Sequence, residues 1–169
     1  MSDTGAAETH SASEQELWEL LATVPDPEIP VVNIVELGIV RDITAQDDGR
    51  IQVSMTPTYT GCPATDAIRK DVERTIREAG IDNARIDLKL WPPWSTDCIT
   101  PEAKEKLREY GIAPPKHSPD DRLEGAPCPR CGSTDTEVVS EFGSTPCKAS
   151  MRCKSCLEAF DHFKCLRPL

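Results

Sequence analysis

Two pairs of cysteines constrain this chain more than any other feature of it. Cys128-Pro129-Arg130-Cys131 and Cys153-Lys154-Ser155-Cys156 each place two sulfurs on one tight turn, and the pairs lie roughly 20 residues apart. Each pair can direct both thiols at one ion, and two such knuckles at this separation suit the tetrahedral four-sulfur site of a zinc ribbon. The apolar inventory demands a staple of that kind. Between the pairs only Val138, Val139, Phe142 and Met151 are large and apolar, too few for a self-supporting core. Structural zinc contributes on the order of 10–16 kcal/mol in small peptides, enough to fold such a piece. One structural zinc (or iron in its place) on Cys128, Cys131, Cys153 and Cys156 is therefore expected, with residues 128–169 as the ribbon. Cys147 and Cys165 are left over, open to use as alternative ligands, a redox pair, ligands of a second centre or buried thiols. His162 reads as a surface ring rather than a ligand.

The chain ahead of the ribbon has a different character. Residues 1–127 carry 13 basic and 24 acidic side chains, whereas residues 128–169 carry 6 and 5. A net charge of −10 over 169 residues argues against a nucleic-acid or anionic-membrane surface, because phosphate binding needs clustered positive charge. No apolar run approaches the ~20 residues that span a bilayer, and no basic stretch followed by an apolar one opens the chain. A cytoplasmic protein is expected. Its eight cysteines then point to metal or thiol chemistry before disulfides.

Residues 1–13 are small, polar and acidic, and read as a disordered tail. Ser13 and Glu16 have capping-box spacing, and Leu17, Leu20, Leu21 and Val24 mark a helical face that Pro25 ends. Asp26-Pro27-Glu28-Ile29-Pro30 is a rigid loop with two carboxylates, ordinarily a solvated turn. Ile39 to Thr44 and the alternating Ile51, Val53 and Met55 read as two strands joined by Asp47-Asp48-Gly49. Ala64, Ile68, Val72, Ile76 and Ala79 recur at helical spacing, and Gly80 ends that helix. Ile86, Leu88 and Leu90 suggest a third strand running into Trp91-Pro92-Pro93-Trp94, which serves equally as a docking surface or as a lid on the core. Thr100-Pro101 opens a last helix that Gly111 closes. Residues 14–113 thus form one α/β unit, and the proline-rich, charged residues 114–127 read as a linker. The expected fold is α+β: a small mixed sheet with helices packed on one face, followed by a small β-rich zinc ribbon.

One more cysteine stands at a junction. Between the second strand and the helix that follows, Cys62 lies after Gly61 and before Pro63. A helix start presents unpaired N–H groups and a positive dipole end, which make a thiol there a better nucleophile and metal ligand. The plainer alternative is a small buried hydrophobe in a turn.

Asp26 to Pro30, the Val32-to-Val40 run, Thr56 to Ala64 with its Gly-Cys-Pro, and Trp91-Pro92-Pro93-Trp94 resemble the small α/β domain of the metal–sulfur cluster assembly family. That family includes iron–sulfur maturation factors. Adding Glu141 to Ala149, the paired CxxC turns and Phe160 to Cys165, the chain over about residues 14–169 resembles the PaaD family. Its members are small subunits encoded with the phenylacetyl-CoA ring-epoxidase system. The resemblance implies an accessory role in aerobic phenylacetate degradation, maturing the multicomponent monooxygenase rather than oxidising the ring. It carries the family's reactive cysteine onto Cys62 and its acidic loop onto Asp26 and Glu28; on physical grounds, a nearby carboxylate or the Thr60 hydroxyl is able to orient metal bound at that thiol. The implied cargo is a transient iron–sulfur cluster or iron. The implied partners are the epoxidase components, the iron–sulfur reductase above all, and a homodimer is left open. The family usually carries tryptophan where this chain has Cys98, which makes Cys98 a weak candidate for any shared function.

One cysteine cannot hold a cluster that needs four ligands. Cys62 would draw on another subunit, on a partner's thiols, or on Cys147 and Cys165. Two other functions compete. A thiol enzyme lacks a local imidazole, since no histidine lies between His10 and His117. A non-catalytic adaptor would simply dock subunits of the monooxygenase.

Overall fold

The computed structural model describes residues 10–59, 61–115, 123 and 125–164. Its first unit grows from the expected local signals. Ser13 accepts from the Glu16 N–H at 3.2 Å and donates its own N–H to the Glu16 carboxylate at 2.7 Å, a complete capping box that starts α1 (Glu14–Leu21). Leu17 and Leu21 turn inward and are fully buried. Strands β1 (Val40–Ala45) and β2 (Ile51–Met55) form an antiparallel hairpin. Helix α2 (Ala64–Glu78) then crosses over to β3 (Ala84–Leu88), which pairs parallel to β2. The sheet order is β1-β2-β3. Ala64, Ile68, Val72 and Ile76 are the buried face of α2, the i, i+4 row that periodicity predicts. The Thr100 side chain caps α3 (Pro101–Tyr110) by accepting from the Ala103 N–H, and Gly111 closes the helix at φ 95°, where a side chain would be strained.

The ribbon is a four-stranded sheet in the order β4-β7-β6-β5, comprising β4 (Ile112–Ala113), β5 (Thr136–Ser140), β6 (Lys148–Cys153) and β7 (Ala159–Phe163). Ile112 and Ala113, read from sequence as the end of the first unit, pair parallel with Asp161 and His162 of β7. The chain is thus stitched into the ribbon before the linker begins. Leu123 and Ala126, at the far end of that linker, pack into the ribbon's small core.

The two units share more than this strand. Phe163 and Cys147 of the ribbon belong to the first unit's apolar cluster. Phe163 faces Trp94 with ring centroids 6.2 Å apart.

Several expectations are corrected here. His10 bridges Ile81 and Ala12 is buried, its N–H donating to Asn83 Oδ1 at 3.0 Å. Residues 10–13, expected in a disordered tail, are thus held in place by a backbone pair and a side-chain amide; residues 1–9 lie outside the described part. Trp94 is not a docking surface. It is 3% exposed and its indole N–H donates to the Leu37 carbonyl at 2.8 Å. Trp91 is 79% exposed, and Leu90, expected in the third strand, lies beyond its end and is exposed. His162 is no surface ring: it is buried, with Nδ1 3.1 Å from the Ala113 carbonyl oxygen.

Candidate functional site

Four of the sequence-predicted metal ligands converge. The sulfurs of Cys128, Cys131, Cys153 and Cys156 all lie within 4.8 Å of one another. Cys128 Sγ is 3.7 Å from Cys156 Sγ, and Cys131 Sγ is 3.6 Å from Cys153 Sγ. A zinc–sulfur bond of about 2.3 Å sets a tetrahedron with edges of about 3.8 Å, so the sulfurs already stand where one tetrahedral ion needs them. The Cys156 N–H points at Cys153 Sγ at 3.5 Å. Together with the Ser155 N–H, it pulls the Cys153 thiol down to about 6. This four-cysteine cluster is a metal-binding site by geometry and by donor chemistry.

The second site is a cavity between the two units. Its walls include Asp26 and Glu28 from the loop after α1, Met55 and Thr56 at the end of β2, Cys62 at the entry to α2, and Cys147 and Phe163 from the ribbon. Cys62 reaches it through a tight turn. The Cys62 N–H donates to the Tyr59 carbonyl, and the Cys62 carbonyl accepts from the Thr65 N–H, both at 3.2 Å. Gly61 sits at φ 84° with nothing within 4 Å of where a Cβ would stand, so glycine serves the turn and not a close approach. Pro63 is the cap residue rather than the first helical residue, and Cys62 therefore precedes the helix.

The acidic loop is not the solvated turn that its prolines suggest. Asp26 is 7% exposed, and its Oδ1 accepts from the N–H groups of Glu28 and Ile29 at 2.9 and 2.8 Å. Burial pushes the Asp26 carboxyl up, against the pull of those two donors and of Lys148. Glu28 is half-buried and is also raised, first by burial and then by Asp26, with Lys148 opposing. Burial raises the Cys147 thiol, which lies 3.0 Å from the Thr145 hydroxyl. The Tyr59 phenol is pushed up to about 12 by burial, by the charge of Cys62 and by its hydrogen bond to that sulfur. It therefore keeps its proton through the physiological range.

Lys148 and Tyr59 were not singled out from sequence as site residues. Lys148 is 4% exposed and its ammonium lies 3.7 Å from an Asp161 carboxylate oxygen. A lysine in a polar motif reads as surface, and its burial is decided by tertiary packing. Cys98 does not line this cavity. It packs against Gly38, where a Cβ would come within 2.5 Å of the Cys98 Cβ, and the Arg41 guanidinium donates to its sulfur. No histidine lines the cavity among the described residues. Thr60 and Cys165 lie outside the described residues.

Residues 14–88 match the family described as iron–sulfur cluster assembly protein, and residues 112–164 match the PaaD zinc beta ribbon domain. The chain is 48% identical over 153 residues to an Escherichia coli (strain K12) protein provisionally named as a subunit of 1,2-phenylacetyl-CoA epoxidase, covering 89% of this chain and 92% of that one. It is 38% identical over 96 residues to an Fe-S protein maturation auxiliary factor of Porphyromonas gingivalis, covering 56% and 90% of the two chains. A crystal structure of a domain of unknown function, DUF59, from Bacillus anthracis superposes with a TM-score of 0.50 at 33% identity, covering 56% of this chain and 90% of that one.

Proposed function

Because the chain belongs to the PaaD family, joining an iron–sulfur assembly unit to a zinc ribbon, we propose that it matures a phenylacetyl-CoA epoxidase system through Cys62. Likeness to iron–sulfur maturation factors supports the accessory role in iron–sulfur assembly. The finer reading is that Cys62 carries iron or a transient cluster to the system's iron–sulfur reductase. One observation carries it: Cys62 opens into a cavity shared with the buried acidic loop of Asp26 and Glu28.

The chain's own groups have definable tasks there. Cys62 is half-exposed, so a partner's thiols can reach it. Tyr59 packs beside it with a phenol that keeps its proton. Asp26, fixed by two backbone N–H groups, shapes the loop that presents Glu28. Leu88 lines the cavity, and Leu90 and Trp91 just beyond it are 65% and 79% exposed, an apolar contact surface for the acceptor beside the opening. The ribbon's four thiolates hold one zinc, whose task is structural: it fixes the fold that brings Phe163 and Cys147 against the first unit.

The test is replacement of Cys62 by serine in cells expressing the oxygenase system. The reductase component should then carry several-fold less iron and sulfide, while the variant retains zinc and its melting temperature. Full maturation of the reductase by Cys62→Ser would sink the reading.

A further inference from the structure

Strand β3 is an edge of the first sheet: the order is β1-β2-β3, and among the described residues only β2 pairs with it. We propose that this edge binds a second copy of the chain. The two β3 strands pair antiparallel about a two-fold axis at Ile86, and two three-stranded sheets become one.

The backbone is turned for it. The Ile51 N–H donates to the Asn83 carbonyl and the Lys89 N–H to the Met55 carbonyl, both at 2.8 Å. Asn83, Arg85, Asp87 and Lys89 therefore direct their main-chain groups at β2. Those groups alternate along a strand, so Ala84, Ile86 and Leu88 direct theirs outward. The Ala84 carbonyl accepts from the Arg85 guanidinium at 2.8 Å, a side chain standing where a strand would. His10 bridges Ile81 ahead of β3, and from Ala84 to Leu88 the edge is open among the described residues. About the axis, Ile86 exchanges both main-chain bonds with its counterpart, and Ala84 does so with Leu88.

Charge fixes that register. Arg85 and Asp87 share one face of the strand with Ile86 between them in sequence. Pairing about Ile86 sets each Arg85 opposite an Asp87, in the non-hydrogen-bonded position where side chains approach most closely. Gln52 Nε2 donates to the Asp87 carboxylate at 2.8 Å and holds it on the strand. An axis at either charged residue would set like charges together. Edges guarded against pairing carry lysine, proline or a bulge, and Ala84–Leu88 has none of these.

The helical face of the sheet offers matching apolar surface. Ile76, Ile81, Ala84 and Ile86 line a groove beside the edge. A helix that crosses between parallel strands lies over them. With paired strands about 4.8 Å apart, the two copies of α2 lie about 10 Å apart, the distance at which helices pack. Small Ala84 meets large Leu88 across the seam.

The test uses the full chain with zinc in its ribbon, in sedimentation equilibrium over a range of micromolar concentrations. The wild type should approach twice the chain mass of 18.6 kDa. Arg85→Asp and Asp87→Arg each set like charges opposite one another, and each should weaken self-association about tenfold or more. Mixed in equal amounts, the two variants should pair as tightly as the wild type, because opposite charges meet again. Should either variant fold poorly, amide exchange of the wild type decides: the Ile86 and Leu88 N–H groups should gain protection as concentration rises. A monomer at every concentration, a dimer that both single variants leave intact, or variants that weaken and fail to pair when mixed overturns the proposal. So does edge protection that ignores concentration, or that comes only when epoxidase components are added, which would give the edge to another protein.

Discussion

The first unit and the ribbon are both small β-sheets with buried faces, yet different forces hold them. The sheet of β1, β2 and β3 stands on an apolar cluster that includes Leu17, Leu21, Ile34, Val53, Val72 and Leu107, all of them fully buried. The ribbon buries Ala113, Ala126, Met151 and Phe160, and two of its six core residues are the metal-binding Cys128 and Cys153. Val139 and Phe142, two of the four large apolar residues between its cysteine pairs, are exposed. The first unit can lose a methylene and still hold; the ribbon depends on sulfur meeting metal. The contrast weakens only at the seam, where Phe163 and Cys147 are ribbon residues inside the first unit's core.

The contrast is broken most severely at Cys131. That residue is exposed, so replacing it by serine removes coordination and leaves packing alone. Structural zinc is worth on the order of 10 kcal/mol. Cys131→Ser should therefore strip amide-exchange protection from β5, β6 and β7, while α1, α2 and β1 to β3 stay folded with protection reduced by the loss of Phe163 from their core. A protected ribbon without zinc would show that its apolar core suffices after all.

Phe163→Ala tests the seam. Emptying a fully buried phenylalanine site costs about 3–5 kcal/mol, and Trp94 of the first unit lines the space left behind. The melting temperature of the first unit should fall while zinc content stays unchanged. If only the ribbon loosens, the two cores are separate and the seam is a contact rather than shared interior.

The smallest expected effect belongs to Asp26→Asn. Burial raises the Asp26 carboxyl in the folded state, so the native protein holds a proton that the unfolded chain has already released. Stability from this group is full below the unfolded value of about 3.9 and is lost as pH rises through the higher native value. Asparagine keeps the Oδ1 that accepts both backbone bonds and removes the buried charge. The variant should gain on the wild type in urea unfolding as pH rises from about 4 to 7, and the gain should vanish below about 4. A variant that is less stable at pH 7 would show that attraction to Lys148 outweighs the cost of burial.

Local and periodic features were legible in the residues alone. Ser13 and Glu16 close their capping box, Ala64, Ile68, Val72 and Ile76 line one helix face, Gly111 ends α3, and the four knuckle cysteines meet. Each of these is decided within a few residues, by hydrogen bonds or side chains that one turn or one strand brings together. The four cysteines needed one thing more, the pairing of two such turns, which the gain from a shared ion specifies.

Tertiary structure decided what covers each face. Trp91 and Trp94 stand in one short run, yet only Trp94 finds the Leu37 carbonyl and the Phe163 ring. Asp26 and His162 have the polarity of surface residues, yet both are buried, Asp26 accepting from two backbone N–H groups and His162 facing the Ala113 carbonyl. Ile112 and Ala113 follow a helix of one unit and hydrogen-bond in the sheet of the other. Cys62 and Cys147 share a cavity although no spacing relates them. Periodicity reports which face of an element is apolar, but its partner is chosen by burial and by contacts between residues far apart in the chain, and those exist only once the chain has folded.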